Sequence, residues 1–354
     1  MLKKIEILTK GIFTKTFLRL LKAKDVGALP PITKNSRLLL IRLNRIGDAL
    51  VTTPLLKILK EATGCSITVL TSKSNHFVFT NNPYCDEILI YPKGFSGTKE
   101  TLRKINNGSY DYIIDLHDDV STTVTLLVGL SKVRYKCGLH KGNEKIFTHT
   151  IEKLDSTKTH VIDRLLNFAN LLNIKYDPAE VNVICNFPDE SLANVNEFVH
   201  NNFKNDKPLI GVNISAGSDA RFWGIDRYKK LCEFISSRDV NLILISAEKD
   251  LHHAEEISSS RYKAFCSPSF DEFAAMISKL DLLLTPDTSA VHLASAYEVP
   301  VFAIYARYKT DDMIWTPYKS EFDSIVIEAP NFKSLEYENV VERFRSFLDK
   351  HISH

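Results

Sequence analysis

The sequence predicts an α/β protein made of two doubly wound units, each a parallel sheet covered by helices. Two observations carry this prediction. From Ser36 onward, apolar strand-like runs alternate with helix-like segments, and the alternation pauses near residues 178–207 before restarting. In each half, a fully apolar run also leads through a polar turn into a helix pattern. The first is Leu38-Leu39-Leu40-Ile41, followed by Arg42-Leu43-Asn44-Arg45-Ile46-Gly47-Asp48. The second is Leu282-Leu283-Leu284, followed by Thr285-Pro286-Asp287-Thr288-Ser289-Ala290-Val291-His292. Open α/β sheets hold their ligands at such carboxyl strand ends.

In the first half, Leu38–Leu43 reads as a strand and Ala49–Ala62 as a helix. Ile67–Leu70, Glu87–Tyr91 and Tyr112–Leu116 read as further strands. A helix follows over Ser121–Leu130, then a short strand over Val133–Cys137 and an amphipathic segment over His160–Leu172. Pro178 and Pro188 mark a connection around Asp177–Pro188. In the second half, strands are expected over Pro208–Asn213, Leu242–Ser246, Leu282–Leu284 and Val301–Ile304. Helices are expected over Asp226–Ser236, Asp250–Ser258, Phe270–Lys279, Ala290–Tyr297 and Tyr337–Lys350. The expected division is a basic segment over 1–30, a first unit over 31–185 and a second over 186–354, with the last helix available to pack back on the first unit.

A chain of 354 residues is long enough for two such units. Its net charge of +2 gives no argument for nucleic acid. The six cysteines are scattered without a Cys-x-x-Cys pair, which fits reduced thiols in a cytoplasmic protein. No secretory signal or membrane-length apolar run is apparent. The N-terminus departs from this neutrality. Residues 1–24 carry Lys3, Lys4, Lys10, Lys15, Arg19, Lys22 and Lys24 against Glu6, interleaved with Leu, Ile and Phe at roughly helical spacing. One reading is an amphipathic helix on an anionic membrane surface. The other is a helix packed on the protein, or a frayed terminus. Gly27 to Pro31 reads as a linker.

The chain has no Gly-x-Gly, hence neither a dinucleotide fingerprint nor a Walker A loop. It has no Gly-x-Ser-x-Gly elbow. It also lacks an Asp-x-Asp triplet and a recognisable histidine metal set, which favours chemistry without a metal or other cofactor.

Five places carry candidate chemistry, the first four with a plainer alternative. Asp48 stands at the first strand-to-helix turn, after Gly47, whose lack of a side chain suits a tight turn and close ligand approach. Capping of the helix is the first reading of Asp48; a general base is the second. Asn213-Ile214-Ser215-Ala216-Gly217-Ser218-Asp219-Ala220-Arg221-Phe222-Trp223 is rich in small residues and free N–H groups, as phosphate-binding loops are. The alternative is an ordinary loop with Trp223 in the core. Asp287-Thr288-Ser289 offers hydroxyls and N–H groups at a helix start with His292 on the same helix; the alternative is a capped helix and a core imidazole. Glu248 suits ribose hydroxyls or simply the surface. His117-Asp118-Asp119 follows another strand.

Taken together, these segments resemble glycosyltransferase family 9, the ADP-heptose:lipopolysaccharide heptosyltransferases. The resemblance runs from about Arg37 to Tyr305. It rests on Leu40-Ile41-Arg42-Leu43 with Gly47-Asp48, on Asp111-Tyr112-Ile113-Ile114-Asp115-Leu116-His117, and on Ala216-Gly217-Ser218 with Trp223. Its most specific part is Asp287-Thr288-Ser289-Ala290-Val291-His292-Leu293-Ala294, similar to the family signature Asp-Thr-Gly-x-x-His-Leu-Ala.

The resemblance implies a GT-B fold, with two Rossmann-like domains facing across a cleft, the first for the acceptor and the second for a nucleotide-sugar donor. It implies an inverting, metal-independent transfer of a heptose or related sugar from a nucleotide-sugar, ADP-heptose first among them. The acceptor would be lipopolysaccharide core or another surface glycan, met in the cytoplasm or at the inner face of the membrane. Asp48 matches the catalytic base. Ser215, Gly217, Ser218, Arg221, Glu248, Asp287, Thr288, Ser289 and His292 fall on the donor side. Asn44, Arg45, Gly47 and His117 fall on the acceptor side. The sequence departs from the family pattern at Ser289, usually Gly; at Arg221, often Lys; at His117, often Gln; and at Tyr305-Ala306-Arg307-Tyr308, commonly Tyr-Gly-Pro.

Overall fold

The computed structural model describes residues 21–352, so most of the basic segment 1–24 lies outside the described residues. What is described of its end is pinned to the first unit: Leu21 packs against that unit's core, and the Ala23 N–H donates to the Lys145 carbonyl. The chain divides into two compact units, one ending at Val181 and the other beginning at Asn182.

The first unit contains β1 (Arg37–Ile41), α1 (Ile46–Leu50), α2 (Thr53–Thr63), β2 (Ser66–Ser72), α3 (Phe77–Thr80), β3 (Glu87–Tyr91), α4 (Phe95–Asn107), β4 (Tyr112–Asp115), α5 (Thr122–Leu130), β5 (Tyr135–Leu139), β6 (His149–Ile151) and α6 (Val161–Leu171). The strands pair in parallel in the order β3-β2-β1-β4-β5-β6. Strand order thus reverses between β1 and β4, the place where doubly wound sheets open a crevice at their carboxyl ends. Leu38, Leu39, Leu40 and Ile41 are fully buried, which explains a continuous apolar run rather than an alternating one.

The second unit repeats this design. It contains α7 (Asp189–Asn202), β7 (Leu209–Asn213), α8 (Ile225–Ser236), β8 (Asn241–Ser246), α9 (Leu251–Ile257), β9 (Lys263–Cys266), α10 (Phe270–Ile277), β10 (Leu282–Pro286), α11 (Ser289–Ala296), β11 (Val301–Ala306), β12 (Phe322–Ile327) and α12 (Tyr337–Ile352). The parallel order is β12-β11-β10-β7-β8-β9, with the reversal between β10 and β7. The last helix, α12, completes the core of its own unit, with the Phe344 ring edge-on to Phe302 at 5.2 Å. Trp223 is buried there too, its indole N–H donating to the Leu335 carbonyl at 2.9 Å.

Several elements differ from expectation. The helix expected over Ala49–Ala62 is two: Pro54 near the start of α2 has no N–H to continue a ladder, and the Thr52 hydroxyl bonds the Asp48 carbonyl at 2.8 Å. α4 and α7 have no counterpart among the expected helices, because both are mostly polar. α4 buries only Gly97, Thr101 and Ile105, and α7 only Ser191 and Val195. β6 and β9 are too short to show a pattern, and in β12 Asp323 and Ser324 interrupt the apolar residues of an edge strand. All six cysteines are free, and burial pushes the Cys137 and Cys232 thiols up to about 12.

Gly97 locks the first turn of α4 onto the strand before it. A Cβ there would lie 1.7 Å from the Pro92 carbonyl oxygen, so a backbone must shift. Gly217 has no atom within 4 Å of the same position. Gly97→Ala is therefore expected to cost about 2 kcal/mol and lower the melting temperature by roughly 5 °C, with Gly217→Ala within about 1 °C of the parent by differential scanning calorimetry.

Candidate functional site

In the first unit, register brings the β1 and β4 ends together. Ile41 pairs with Asp115, so Arg42 emerges beside Leu116 and Leu43 beside His117. Arg42 is buried, and its guanidinium spans the reversal. Nε donates to the Asp48 carbonyl at 3.0 Å, an Nη donates to the Leu116 carbonyl, and the other Nη lies 3.1 Å from Asp48 Oδ1. The Asn44 amide also reaches Asp48 Oδ1, at 3.4 Å. Asp48 Oδ2 accepts no hydrogen bond among the described residues, and the side chain retains 14% exposure.

Asp48 does not cap its helix. Arg45 occupies the N-cap, no side chain caps it, and the Asp48 carboxylate turns instead to Arg42. The tight turn expected at Gly47 is also absent: Gly47 lies within α1 and is not among the glycines of positive φ. Asn44 and Arg45 are exposed beside Asp48.

His117 is placed differently from these. It is buried, and both ring nitrogens are engaged. Nε2 accepts from the Leu43 N–H at 3.1 Å, so Nδ1 carries the proton and donates to Asp115 Oδ1 at 2.8 Å. Lys141 closes the network at 2.7 Å from Asp115 Oδ2 and donates to the His117 carbonyl. Burial would raise the Asp115 carboxyl, but the bond from His117 and the charge of Lys141 outweigh it and hold it down at about 2. Asp118 is taken by Arg164 at 3.1 Å. The His117 ring thus holds the β1 loop in place. Lys141, which completes this network, gives no sequence signal, because it lies 26 residues from its partner Asp115.

In the second unit, Leu284 pairs with Val212, which sets Thr285 beside Asn213. The Asn213 amide donates to Thr285 Oγ1 at 2.9 Å and to the Ser215 carbonyl at 3.3 Å, while its own oxygen accepts from the Ser215 N–H. Asn213 is the hub of this loop, and nothing in the sequence distinguishes it from its neighbours there. The Ser215 hydroxyl accepts from the Ala247 N–H at 2.7 Å, and Lys249 holds the Ala216 carbonyl. Gly217 and Ser218 are exposed. Arg221 Nη pairs with Asp287 Oδ2 at 2.9 Å and donates to the Asp287 carbonyl at 3.2 Å. The Thr288 hydroxyl caps α11 through the Ala290 N–H.

His292 is buried on α11, its ring 6.0 Å from that of Trp315. Glu248 is exposed just past β8. Of the departing stretch, Tyr305 is buried and bonds the Trp315 carbonyl, and Arg307 pairs with Glu328. The structure therefore brings Ser215, Arg221, Asp287, Thr288 and Ser289 to one reversal, and Asn44, Arg45, Gly47 and Asp48 to the other. Among the described residues, no group of three or more His, Cys, Asp or Glu side chains is arranged to hold a metal ion. No described helix is long and apolar enough to cross a membrane.

Residues 99–344 match the sequence model of glycosyltransferase family 9 (heptosyltransferase). The lipopolysaccharide core heptosyltransferase OpsX of Haemophilus influenzae is 20% identical over 245 residues, covering 66% of this chain and 67% of that one. A family 9 glycosyltransferase from Veillonella parvula superposes with a TM-score of 0.79 at 20% identity, over 92% of this chain and 100% of the other. The ADP-heptose lps heptosyltransferase II of E. coli gives 0.68 at 15% identity, over 89% and 99%. The fold is accordingly that of the GT-B heptosyltransferases.

The Asp115 network has a pH signature. Its folded carboxyl titrates near 2 against 3.8 in the open chain, so the stability it adds is complete above about pH 4 and disappears as pH falls through 2. That portion amounts to about 2 kcal/mol. Asp115→Asn is expected to lower stability at neutral pH and to flatten this part of the acid limb in denaturant titrations.

Proposed function

The chain belongs to glycosyltransferase family 9, and on that premise we propose that it transfers a heptose or related sugar, with inversion and without a metal, from a nucleotide-sugar to lipopolysaccharide core or another surface glycan. ADP-heptose is the first donor to test, since an E. coli heptosyltransferase of the same fold is described in complex with ADP. The observation that carries the reading is Asp48: one carboxylate oxygen is held by Arg42 and Asn44 while the other stays open at the β1 end.

In this reading the first unit serves the acceptor and the second the donor. Asp48 Oδ2 takes the proton of the acceptor hydroxyl as that oxygen attacks the anomeric carbon, and the bond to the diphosphate breaks on the opposite side. A single displacement inverts the centre. Charge accumulates on the departing diphosphate, where Arg221, the exposed N–H groups of Gly217 and Ser218, and the start of α11 at Thr288 and Ser289 offset it. Asp287 orients Arg221, Ser215 ties the loop to β8, His292 supports the turn from within, and Glu248 reaches the ribose. Asn44, Arg45 and Gly47 border the acceptor hydroxyl, with His117 holding their loop. The enzyme would work in the cytoplasm, with residues 1–24 attaching it to the anionic inner face of the membrane.

Ser289 favours a second reading, a different nucleotide-sugar on the same machinery, because it adds a Cβ where the family usually has none. Ligand-induced thermal shifts across a panel of nucleotide-sugars, with and without EDTA, separate the two. A shift with ADP-heptose that survives EDTA supports the first, and a preferential shift with another donor supports the second. No shift with any donor points to a family member that does not turn over.

Asp48→Asn is expected to lower kcat by about 10²–10⁴-fold while leaving the donor-induced thermal shift intact. Full activity in that variant rules Asp48 out as the base. Arg221→Ala is expected to lower kcat/KM for the donor by about tenfold or more.

A further inference from the structure

Phe95 is 90% exposed, far more than any other large apolar side chain among the described residues. Its exposure is built in. It is the first residue of α4, behind Gly94 at φ 98°, and that first turn is fastened from within. The Thr98 N–H and hydroxyl both bond the Gly94 carbonyl at 3.0 Å, and the same hydroxyl meets Tyr91 Oη at 2.8 Å. Gly97 sits against the Pro92 carbonyl with no room for a side chain. Burying the ring would require unwinding this turn, so Phe95 is displayed on a rigid support.

The surroundings are cationic. Ser72 and Tyr91 are register partners and the last residues of the adjacent parallel strands β2 and β3, so Lys73 follows one strand end directly and Lys93 lies two residues past the other. Lys99 lies one helical turn beyond Phe95 on the same face of α4. All three lysines are exposed, and among the described residues none makes an ion pair. The neighbouring acid Glu100 is already neutralised by Lys104 at 2.8 Å, and Asp86 by Lys60 at 2.7 Å.

We propose that the Lys93–Lys99 turn is a membrane-docking surface, with Phe95 inserting among the acyl chains of an anionic bilayer and Lys73, Lys93 and Lys99 lying on its headgroups. An exposed aromatic ring gains from leaving water, and unpaired lysines gain from a negative surface. A single weak anchor holds a protein only marginally, and two together hold it firmly. This surface belongs to the folded first unit and is made of residues outside the basic segment 1–24. It requires no assumption about the sugar transferred.

The test uses the full chain carrying Phe95→Trp. It is mixed with vesicles of equal parts phosphatidylglycerol and phosphatidylcholine, and with phosphatidylcholine alone. Insertion predicts a blue shift of the introduced indole's emission and its quenching by bromine-labelled acyl chains, with the anionic vesicles only. In co-sedimentation, Phe95→Ser should weaken partitioning by about tenfold. Lys73→Gln, Lys93→Gln and Lys99→Gln combined should weaken it on the order of a hundredfold at low salt, and less as salt rises. Vesicle binding with no change in the emission of the introduced indole, or binding unaltered by Phe95→Ser, overturns the proposal and leaves any attachment to the N-terminal segment. Loss of self-association in Phe95→Ser with unchanged vesicle binding also overturns it, in favour of a contact between copies of this chain.

Discussion

The first site depends on one buried cation. Arg42 is the first residue beyond β1, and its guanidinium ties the β1 turn to the end of β4 by three contacts: the Asp48 carbonyl, the Asp48 carboxylate and the Leu116 carbonyl. A guanidinium suits this position because its fixed fork meets several oxygens at once and it keeps its proton, even though burial here lowers its pKa. Without it, two carbonyls and a carboxylate would face one another across the point where strand order reverses. Removing one partner of such a buried pair typically costs several kcal/mol, because the other is left unpaired. The same cation that stabilises the turn therefore orients the Asp48 side chain.

Around Arg42 the protein saturates its own polar groups. Asp115, at the end of β4, has His117 on one oxygen and Lys141 on the other, and the His117 ring spends its second nitrogen on the Leu43 N–H. These groups have little capacity left for a ligand. Asp48 Oδ2 is the exception, and an unengaged oxygen on an otherwise anchored carboxylate is the geometry a general base requires.

Much of this is legible in the sequence, and the limits of that legibility have physical causes. Fully buried parallel strands such as Leu38–Ile41 and Leu282–Leu284 announce themselves as unbroken apolar runs, and the polar turn after each marks a strand end. α4 and α7 are hard to read because few of their residues are apolar: α4 buries only Gly97, Thr101 and Ile105, and α7 only Ser191 and Val195. The break between α1 and α2 is legible in Pro54 but is masked by the apolar pattern around it. The choice between capping and chemistry at Asp48 turns on Arg42, whose side chain could lie anywhere until the strand register is known. Lys141 and Asn213 act through partners 26 and 72 residues away, and no local pattern encodes such distances.

The two units share a topology but not an electrostatic character, and this difference is the best guide to a division of labour. In the first, ions and imidazole satisfy one another internally, leaving one carboxylate oxygen open. In the second, Asn213, Ser215 and Lys249 consume the carbonyls and the inner hydroxyl of the loop, and exposed Gly217 and Ser218 lie next to an Arg221 that Asp287 holds in place. A site that keeps an oxygen open is suited to accept a proton, and one that keeps N–H groups and a guanidinium together is suited to hold an anion. Proton removal from an incoming hydroxyl and stabilisation of a departing diphosphate are the two demands of the proposed glycosyl transfer, and the division of labour proposed above assigns one to each unit.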